Sequence, residues 1–184
     1  MLMKAKKSMP DLFKKNKPVF RKFKDIEGQD AGDTPYLWDA YKSGCLDHFP
    51  KDLNMGKFLE LMAIIFSRFQ EHMIVEDYVD GKLVPIALLV AVNNGWLLEP
   101  HVQYFSNASK RCKLRTYVAF TKRTKYRKDI GACLYRVPHD TMIMTNRLEQ
   151  YGLIEYVGKI YNGQPTGNEY LYSTKCKRRS VRSK

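Results

Sequence analysis

The sequence predicts an α+β (α/β) fold in which a central mixed, mostly antiparallel, twisted sheet is flanked by helices. Strand-like and helix-like runs alternate along residues 34–174. Asp80-Gly81 supplies a hairpin turn between two of the strand-like runs, and Gly152 stands where an amphipathic helix ends. The chain has 184 residues, of which 44% are hydrophobic and 28% charged. This size and composition suit one globular domain that buries its own core.

The distribution of charge divides the chain into three parts. Residues 1–33 are predicted to be a basic arm or linker, because Pro10 and Pro18 interrupt any helix and residues 27–33 are rich in turn formers. The phenylalanines of this arm predict that it docks on the rest of the protein. Residues 34–174 are predicted to form the domain. Residues 175–184 form a basic tail that contains no acid.

Two helices are predicted before the first strand. Asp33 or Thr34 can cap the first helix, which Gly44 ends. Asn54 can cap the second helix. An apolar stripe predicts that this helix runs from Gly56 to about His72. Strands are predicted at residues 73–79, 83–92 and 96–105. The continuous apolar character of residues 83–92 predicts burial on both faces of the sheet.

A second set of elements follows the third strand. Ser106, Asn107 or Ser109 can cap a basic helix whose inward seam includes Leu114 and Val118. A strand is predicted at residues 132–137. A helix capped by Asp140 or Thr141 then runs through Tyr151 to Gly152, and strands at residues 153–161 and 169–174 complete the order.

The formal net charge is +13, and it is concentrated in the arm, the tail and the basic helix. The basic helix and the residues after it carry nine cations between residues 110 and 128. Clustered charge of one sign attracts polyanions and makes their binding depend on salt. The alternative interpretation is a solvated helix face that keeps the protein soluble.

Several classes of protein are not indicated by the sequence. The longest apolar run, at residues 83–92, is half of the length that a bilayer span needs and contains Pro85. The N-terminal lysines are not followed by the apolar segment of a secretory signal. The four cysteines are scattered, which predicts reduced thiols in a cytosol-like compartment and no zinc or other metal site. The sequence contains no P-loop, G-x-S-x-G or H-E-x-x-H motif.

The order of elements resembles the GCN5-related N-acetyltransferase (GNAT) fold. Residues 74–84 resemble the second strand, turn and third strand of that family, and residues 146–156 resemble its fourth helix and the strand that follows. A closer likeness is to the acetyltransferase-like internal virion proteins of T7-like short-tailed phages. It is carried by Trp96, Ser106–Ser109, the basic run at residues 110–128, the strand at 132–137 and Gly152-Leu153.

The resemblance implies acetyl-CoA as the cofactor if the protein is catalytic. The family binds the coenzyme diphosphate on backbone N–H groups at the start of its third helix, through the pattern Gln/Arg-x-x-Gly-x-Gly/Ala. Residues 106–115 contain no glycine, so side chains would crowd the diphosphate and the prediction is that no cofactor binds. The candidate residues that would hold it by charge or cap are Ser109, Lys110, Arg111 and Lys113.

The catalytic residues that the resemblance implies are only partly present. Glu99 stands on the strand that carries the family's general base, and His101 is two residues on, so both are predicted to face one side of that strand. Glu99 is equally compatible with a surface position before Pro100. The family's general acid is a tyrosine four residues before the helix-ending glycine, and Leu148 occupies that position.

Three hypotheses follow, of which the first and third are compatible. The first is a non-catalytic virion protein, present in the host cytoplasm during assembly, that contacts packaged DNA or other virion proteins. The second is an active N-acetyltransferase. The third is a non-specific nucleic-acid-binding protein in which aromatic residues near the basic run could stack on bases, although most of them are expected to belong to the core. These aromatic residues are Tyr104, Phe105, Tyr117, Phe120 and Tyr126. The candidate binding residues are Lys14, Lys15, Arg21, Lys122, Arg123, Arg127, Lys177, Arg178 and Arg179.

Overall fold

A computed structural model describes residues 13, 16–27, 30–46, 49–138, 142–164 and 167–175. The elements are β1 Val19–Lys22, α1 Thr34–Lys42, α2 Met55–Arg68, β2 Glu71–Val79, β3 Lys82–Asn93, β4 Leu97–Tyr104, α3 Lys110–Thr124, β5 Ala132–Pro138, α4 Met142–Gln150, β6 Glu155–Gln164 and β7 Gly167–Lys175. The seven strands form one sheet in the order β1-β2-β3-β4-β5-β7-β6. Because β4 and β5 run parallel while the other pairs whose register is resolved are antiparallel, the predicted mixed, mostly antiparallel sheet is confirmed.

Residues 16–92 and 100–116 form one compact unit, here called the N-terminal unit. Its core is built where α1 and α2 pack on the sheet through Leu37, Phe58 and Ile74, which are fully buried. All six residues at 86–91 of β3 are buried. Successive side chains of a strand point to opposite faces, so this run confirms the prediction that β3 is covered on both faces.

The strand β1 lies inside the predicted N-terminal arm and was not among the predicted elements. It pairs antiparallel with β2 from Val19↔Glu76 to Lys22↔Met73. Phe23 follows the strand and packs edge-on against Phe66, at 4.8 Å between ring centroids. Docking of the arm is therefore confirmed for residues 19–23, and β1 adds an outer strand to the sheet.

One prediction about the first helices was wrong, and another was confirmed only in part. The second helix ends at Arg68, because Glu71 and His72 pair with Ala91 and Val90 as the start of β2. Sheet pairing therefore overrides the apolar stripe, which extended the predicted helix to residue 72. Asp33 stands at the N-cap of α1, as predicted, but its side chain makes no capping hydrogen bond. The side chain accepts hydrogen bonds from Arg21 and from the Lys24 N–H instead.

The other local signals are confirmed. Asn54 caps α2 by accepting from the Lys57 N–H at 2.9 Å. Asp80 and Gly81 both have positive φ, as a tight hairpin turn requires. Gly152 has φ 65° just after α4, which is the left-handed position where glycine ends helices. The predicted caps of α4, Asp140 and Thr141, lie outside the described residues, as does most of the basic tail.

Residues 93–99 and 117–184, together with Phe13, contribute the described part of a second compact unit, here called the C-terminal unit. Strand β5 pairs with β7 along its whole length, and β7 pairs with β6. Strand β4 joins this unit through Leu97↔Ala132 and Leu98↔Cys133. Tyr135 is buried against α3, where its hydroxyl lies 3.0 Å from Thr121 Oγ1, and burial raises its pKa well above the usual value.

Candidate functional site

The N-terminal turn of α3 is the first place where the resemblance puts chemistry. Ser109 caps the helix: its carbonyl accepts from the Lys113 N–H at 3.0 Å, and its Oγ accepts from the Cys112 N–H at 3.1 Å. Of the three predicted caps, Ser109 is therefore the residue that serves α3. The cap engages the third N–H of the helix, one of the groups that a glycine-rich turn would leave for a diphosphate.

The residues before Ser109 are also tied to the protein's own backbone. The Ala108 N–H donates to the Phe105 carbonyl at 3.0 Å. The side-chain amide of Asn107 donates to the carbonyl of Pro85, at 3.0 Å. Each of these hydrogen bonds uses a donor group of the turn within the protein itself, so that this donor is not available to a ligand. This turn therefore does not fit a coenzyme diphosphate in the way that the family's glycine-rich pattern does.

Cations surround this turn. Lys110 and Arg111 are exposed at the first two positions of α3, whose N–H groups have no acceptor within a helix. Lys113 lies over the ring of Tyr104, with its Nζ 5.2 Å from the centroid, and its carbonyl accepts from the Tyr104 hydroxyl at 3.2 Å. The structure thus brings together the four candidate cofactor residues at one positive helix start, which suits an anion held by charge.

The two candidate catalytic residues lie on β4, and each is in contact with other side chains. Glu99 accepts from Arg136 of β5, at 2.5 Å from Nε to Oε1 and 3.4 Å from Nη2 to Oε2. This two-point contact engages both oxygens of the carboxylate in a pairing with the neighbouring strand. His101 is exposed, and its ring meets Phe69 edge-on at 5.4 Å between centroids. The pairing of Glu99 with Arg136 was not predicted from the sequence. The only indication of it was that the next predicted strand carries a basic residue.

The position that the family gives to a general acid is a core position here. Leu148 lies on α4 and is only 1% exposed. Nearby in this unit, the hydroxyl of Tyr172 donates to Asn146 Oδ1 at 3.2 Å, and burial raises the pKa of this tyrosine. Leu148 packs as an apolar side chain, as its residue type requires.

The predicted binding cations differ in their surroundings. Arg21 lies between Asp33 and Glu76, with contacts of 2.7 and 2.8 Å, and these carboxylates raise its pKa. The Nζ atom of Lys122 lies 5.3 Å from the ring centroid of Phe13. Arg127 pairs with Asp129, and its hydrogen bonds lower the pKa of Asp129 to about 2. Arg123 is exposed. Lys14, Lys15, Lys177, Arg178 and Arg179 lie outside the described residues.

In the part of the chain that the structure describes, no group of three or more His, Cys, Asp or Glu side chains could hold a metal ion. Cys45, Cys112 and Cys133 are free thiols. None of the described helices is long and apolar enough to cross a membrane.

The order of elements and the order of strands define the fold of the GNAT acetyltransferases. Solved structures of acetyltransferases align with this chain and have the same fold. The spermidine N-acetyltransferase of Vibrio cholerae, in complex with CoA and spermine, aligns with a TM-score of 0.60 at 12% identity over 86% of this chain and 95% of that chain. A GNAT-family acetyltransferase from Bacillus anthracis aligns with a TM-score of 0.60 at 11% identity, over 89% and 97% of the two chains.

A third structure is that of an acetyltransferase from Salmonella typhimurium, which modifies the N-terminal serine of 50S ribosomal subunit protein L7/L12. It aligns with a TM-score of 0.60 at 8% identity, over 89% of this chain and 97% of that chain. No protein-family model and no curated protein sequence matches the chain. At these identities the likeness shows the fold, and activity has to be argued from the residues of this chain.

Proposed function

We propose that this protein is a non-catalytic GNAT-fold protein that binds polyanions through the basic surface of α3 and the loop after it. The observation that carries the proposal is the pairing of Glu99 with Arg136 in the position where acetyl transfer needs a base. Leu148, buried where the family has its acid, supports it. The capped and glycine-free start of α3 supports it as well.

The polyanion in this proposal is packaged DNA or an acidic virion protein. The resemblance to internal virion proteins of short-tailed phages motivates this setting, which would place the protein in the virion and, during assembly, in the host cytoplasm. The net charge of +13 agrees with such partners. Lys110 and Arg111 are exposed at the start of α3, and Arg123 and Lys128 are exposed at its end and in the loop after it.

The test of polyanion binding is a titration of duplex DNA at several salt concentrations. The logarithm of the association constant should fall linearly with the logarithm of salt, with a slope of about −0.9 for each phosphate neutralised. The double variant Lys110→Gln/Arg111→Gln should reduce the slope, whereas Lys57→Gln on the exposed start of α2 is the control. A salt-independent affinity, or a slope reduced equally by the control, would contradict the proposal.

An active acetyltransferase is the second candidate, and one observation favours it. The parallel pairing of β4 with β5 is resolved only at Leu97↔Ala132 and Leu98↔Cys133, although both strands continue further. Separation of these two strands is a feature that the resemblance to acetyltransferases implies. Acetyl-CoA would then be the cofactor.

Two measurements decide between these functions. Calorimetry with acetyl-CoA should show no saturable heat, and release of free thiol from acetyl-CoA over a panel of amines should not exceed the buffer rate. Tight binding of acetyl-CoA without thiol release would mean that the α3 turn accepts the coenzyme. The pairing of Glu99 would then still oppose catalysis. Thiol release that Glu99→Gln abolishes would establish the enzyme and refute the proposal.

A further inference from the structure

Arg127, in the loop after α3, is held by a carboxylate of the C-terminal unit. Its Nε donates to Asp129 Oδ1 at 3.0 Å, and its Nη2 donates to Asp129 Oδ2. Two parallel hydrogen bonds of this kind are the fork geometry with which arginine binds both carboxylates and phosphates. Arg127 is one of the cations that the sequence predicts to contact a polyanion, but these two donors already meet an anion of the protein itself.

A third donor reaches the same carboxylate. The side-chain amide of Asn93 donates to Asp129 Oδ2 at 3.5 Å. The orientation of this amide is fixed from its other side, because Asn93 Oδ1 accepts from the Gly95 N–H at 2.9 Å. Asn93 and Arg127 therefore direct their donors to one point, and a carboxylate oxygen lies at that point.

The charge of Asp129 is opposite to that of the residues around it in the sequence. Asp129 is the single acid between residues 110 and 131, a stretch that carries nine cations. The hydrogen bonds from Arg127 lower the pKa of Asp129 to about 2, so the carboxylate is charged at neutral pH. This carboxylate opposes the binding of a polyanion in two ways, because it repels phosphates and because it occupies donors of Arg127.

The carboxylate is the partner that faces solvent. The side chain of Asp129 is 56% exposed, whereas that of Arg127 is 22% exposed. A phosphate group that approaches from solvent can therefore reach the position of the carboxylate. Exposed ion pairs contribute little to stability, so the loss of this pair does not threaten the fold.

We propose that Arg127 and Asn93 form an anion site for one phosphate of the polyanion, and that Asp129 occupies this site as an internal competitor. This inference rests on the proposed function, for which it names one contact and the residue that restrains it. The wild-type protein then makes one phosphate contact fewer than its cations allow. Removal of the carboxylate opens the site.

The first test measures the binding of duplex DNA to Asp129→Ala at several salt concentrations. Opening the site should strengthen binding by about 3- to 10-fold in about 0.1 M salt and make the salt slope steeper by about 0.9, as one further phosphate contact requires. Asp39→Ala is the matched control, because it also removes an exposed carboxylate that is paired with a cation, Lys42, outside the basic run. The control should keep the slope of the wild type.

The double variant Arg127→Gln/Asp129→Ala separates the release of Arg127 from the mere loss of a negative charge. If Asp129 acts by occupying the donors of Arg127, the double variant should lose the steeper slope of Asp129→Ala. A slope that stays steeper in the double variant, or an equal change in Asp39→Ala, would overturn the inference.

Inorganic phosphate gives a second readout that needs no nucleic acid. Exchange of chloride for phosphate at constant ionic strength should raise the unfolding temperature of Asp129→Ala more than that of the wild type or of Asp39→Ala, because a ligand of the folded state stabilises it. An equal rise in all three proteins would overturn the anion site. If phosphate acts on Asp129→Ala as expected but DNA binds to none of these proteins at low salt, the proposed function is refuted and the anion site stands.

Discussion

Asp77 and Arg115 form the most deeply buried ion pair that the structure describes. The guanidinium of Arg115 donates to both carboxylate oxygens of Asp77, at 3.0 and 2.9 Å, and also to the carbonyl of Asn16 at 2.6 Å. The side chains are 1% and 11% exposed. Although Arg115 belongs to the basic run in the sequence, its charge is used inside the N-terminal unit and contributes little to the polyanion surface.

We expect Asp77→Asn to destabilise the protein by about 3 kcal/mol, because it leaves the charge of Arg115 buried without its partner. Urea unfolding measured by circular dichroism checks this value. Asp39→Asn is the matched control, since the ion pair of Asp39 with Lys42 is exposed and such pairs contribute little. Equal losses in the two variants would contradict the assignment of Arg115 to a structural role.

Single residues also show how far sequence reasoning reached into the candidate site. The absence of glycine before α3 and the leucine at position 148 are visible in the sequence, because they are matters of residue type. The partner of Glu99 is not visible, because Arg136 lies 37 residues away and meets it only where β4 and β5 adjoin. The exposure of Tyr126 likewise depends on what packs around the end of α3.

At the scale of elements, the sequence offers both Ser106 and Ser109 as caps of α3, and the structure shows that Ser109 is the residue that caps it. Ser109→Ala removes the bond to the Cys112 N–H and should lower the free energy of unfolding by about 1 kcal/mol. Ser106→Ala, at an exposed position three residues earlier, should have little effect. Thermal or urea unfolding of both variants distinguishes them, and an equal effect would mean that Ser109 is not the cap that stabilises α3.

The junction of β1 with α1 depends on the charge of Asp33. Burial opposes ionisation of Asp33, but hydrogen bonds from Arg21 and from the Lys24 N–H outweigh it, so the pKa of Asp33 is lowered. A lowered folded-state pKa contributes stability above the unfolded value of about 4, and that contribution is lost as pH falls through the folded value.

Asp33→Asn should therefore destabilise the protein at pH 7, and the difference from the wild type should shrink as the pH falls below about 4. Urea unfolding at a series of pH values measures this difference. Asp25→Asn, in the exposed segment that follows β1, is the control. A difference for Asp33→Asn that stays constant with pH would show that the side chain acts through shape rather than charge.

For the whole molecule, the net charge of +13 has a cost in stability. Positive charges repel one another more in the compact state than in the unfolded chain, and salt screens this repulsion. The unfolding temperature should therefore rise between low salt and about 0.3 M NaCl. A gain of about 1 kcal/mol would appear as a rise of about 2–4 °C for a chain of this size.

Differential scanning calorimetry in NaCl and in a matched concentration of glucose checks this expectation. Glucose stabilises by exclusion from the surface and does not screen charge. A rise in glucose equal to that in NaCl would mean that self-repulsion is not responsible. A fall with salt would indicate that attractive ion pairs dominate instead.

The sequence alone determined the order of the elements from α1 to β7, the turn at Asp80-Gly81, the end of α4 at Gly152 and the absence of glycine before α3. Each of these depends on residue type and near neighbours in the chain, such as the positive φ that Gly152 adopts. Tertiary structure decided the end of α2, the strand β1 inside the basic arm, and the partners of Asp33, Glu99 and Arg115. Pairing of distant strands and of distant charges sets these features, and local sequence does not record which distant residue will be the neighbour.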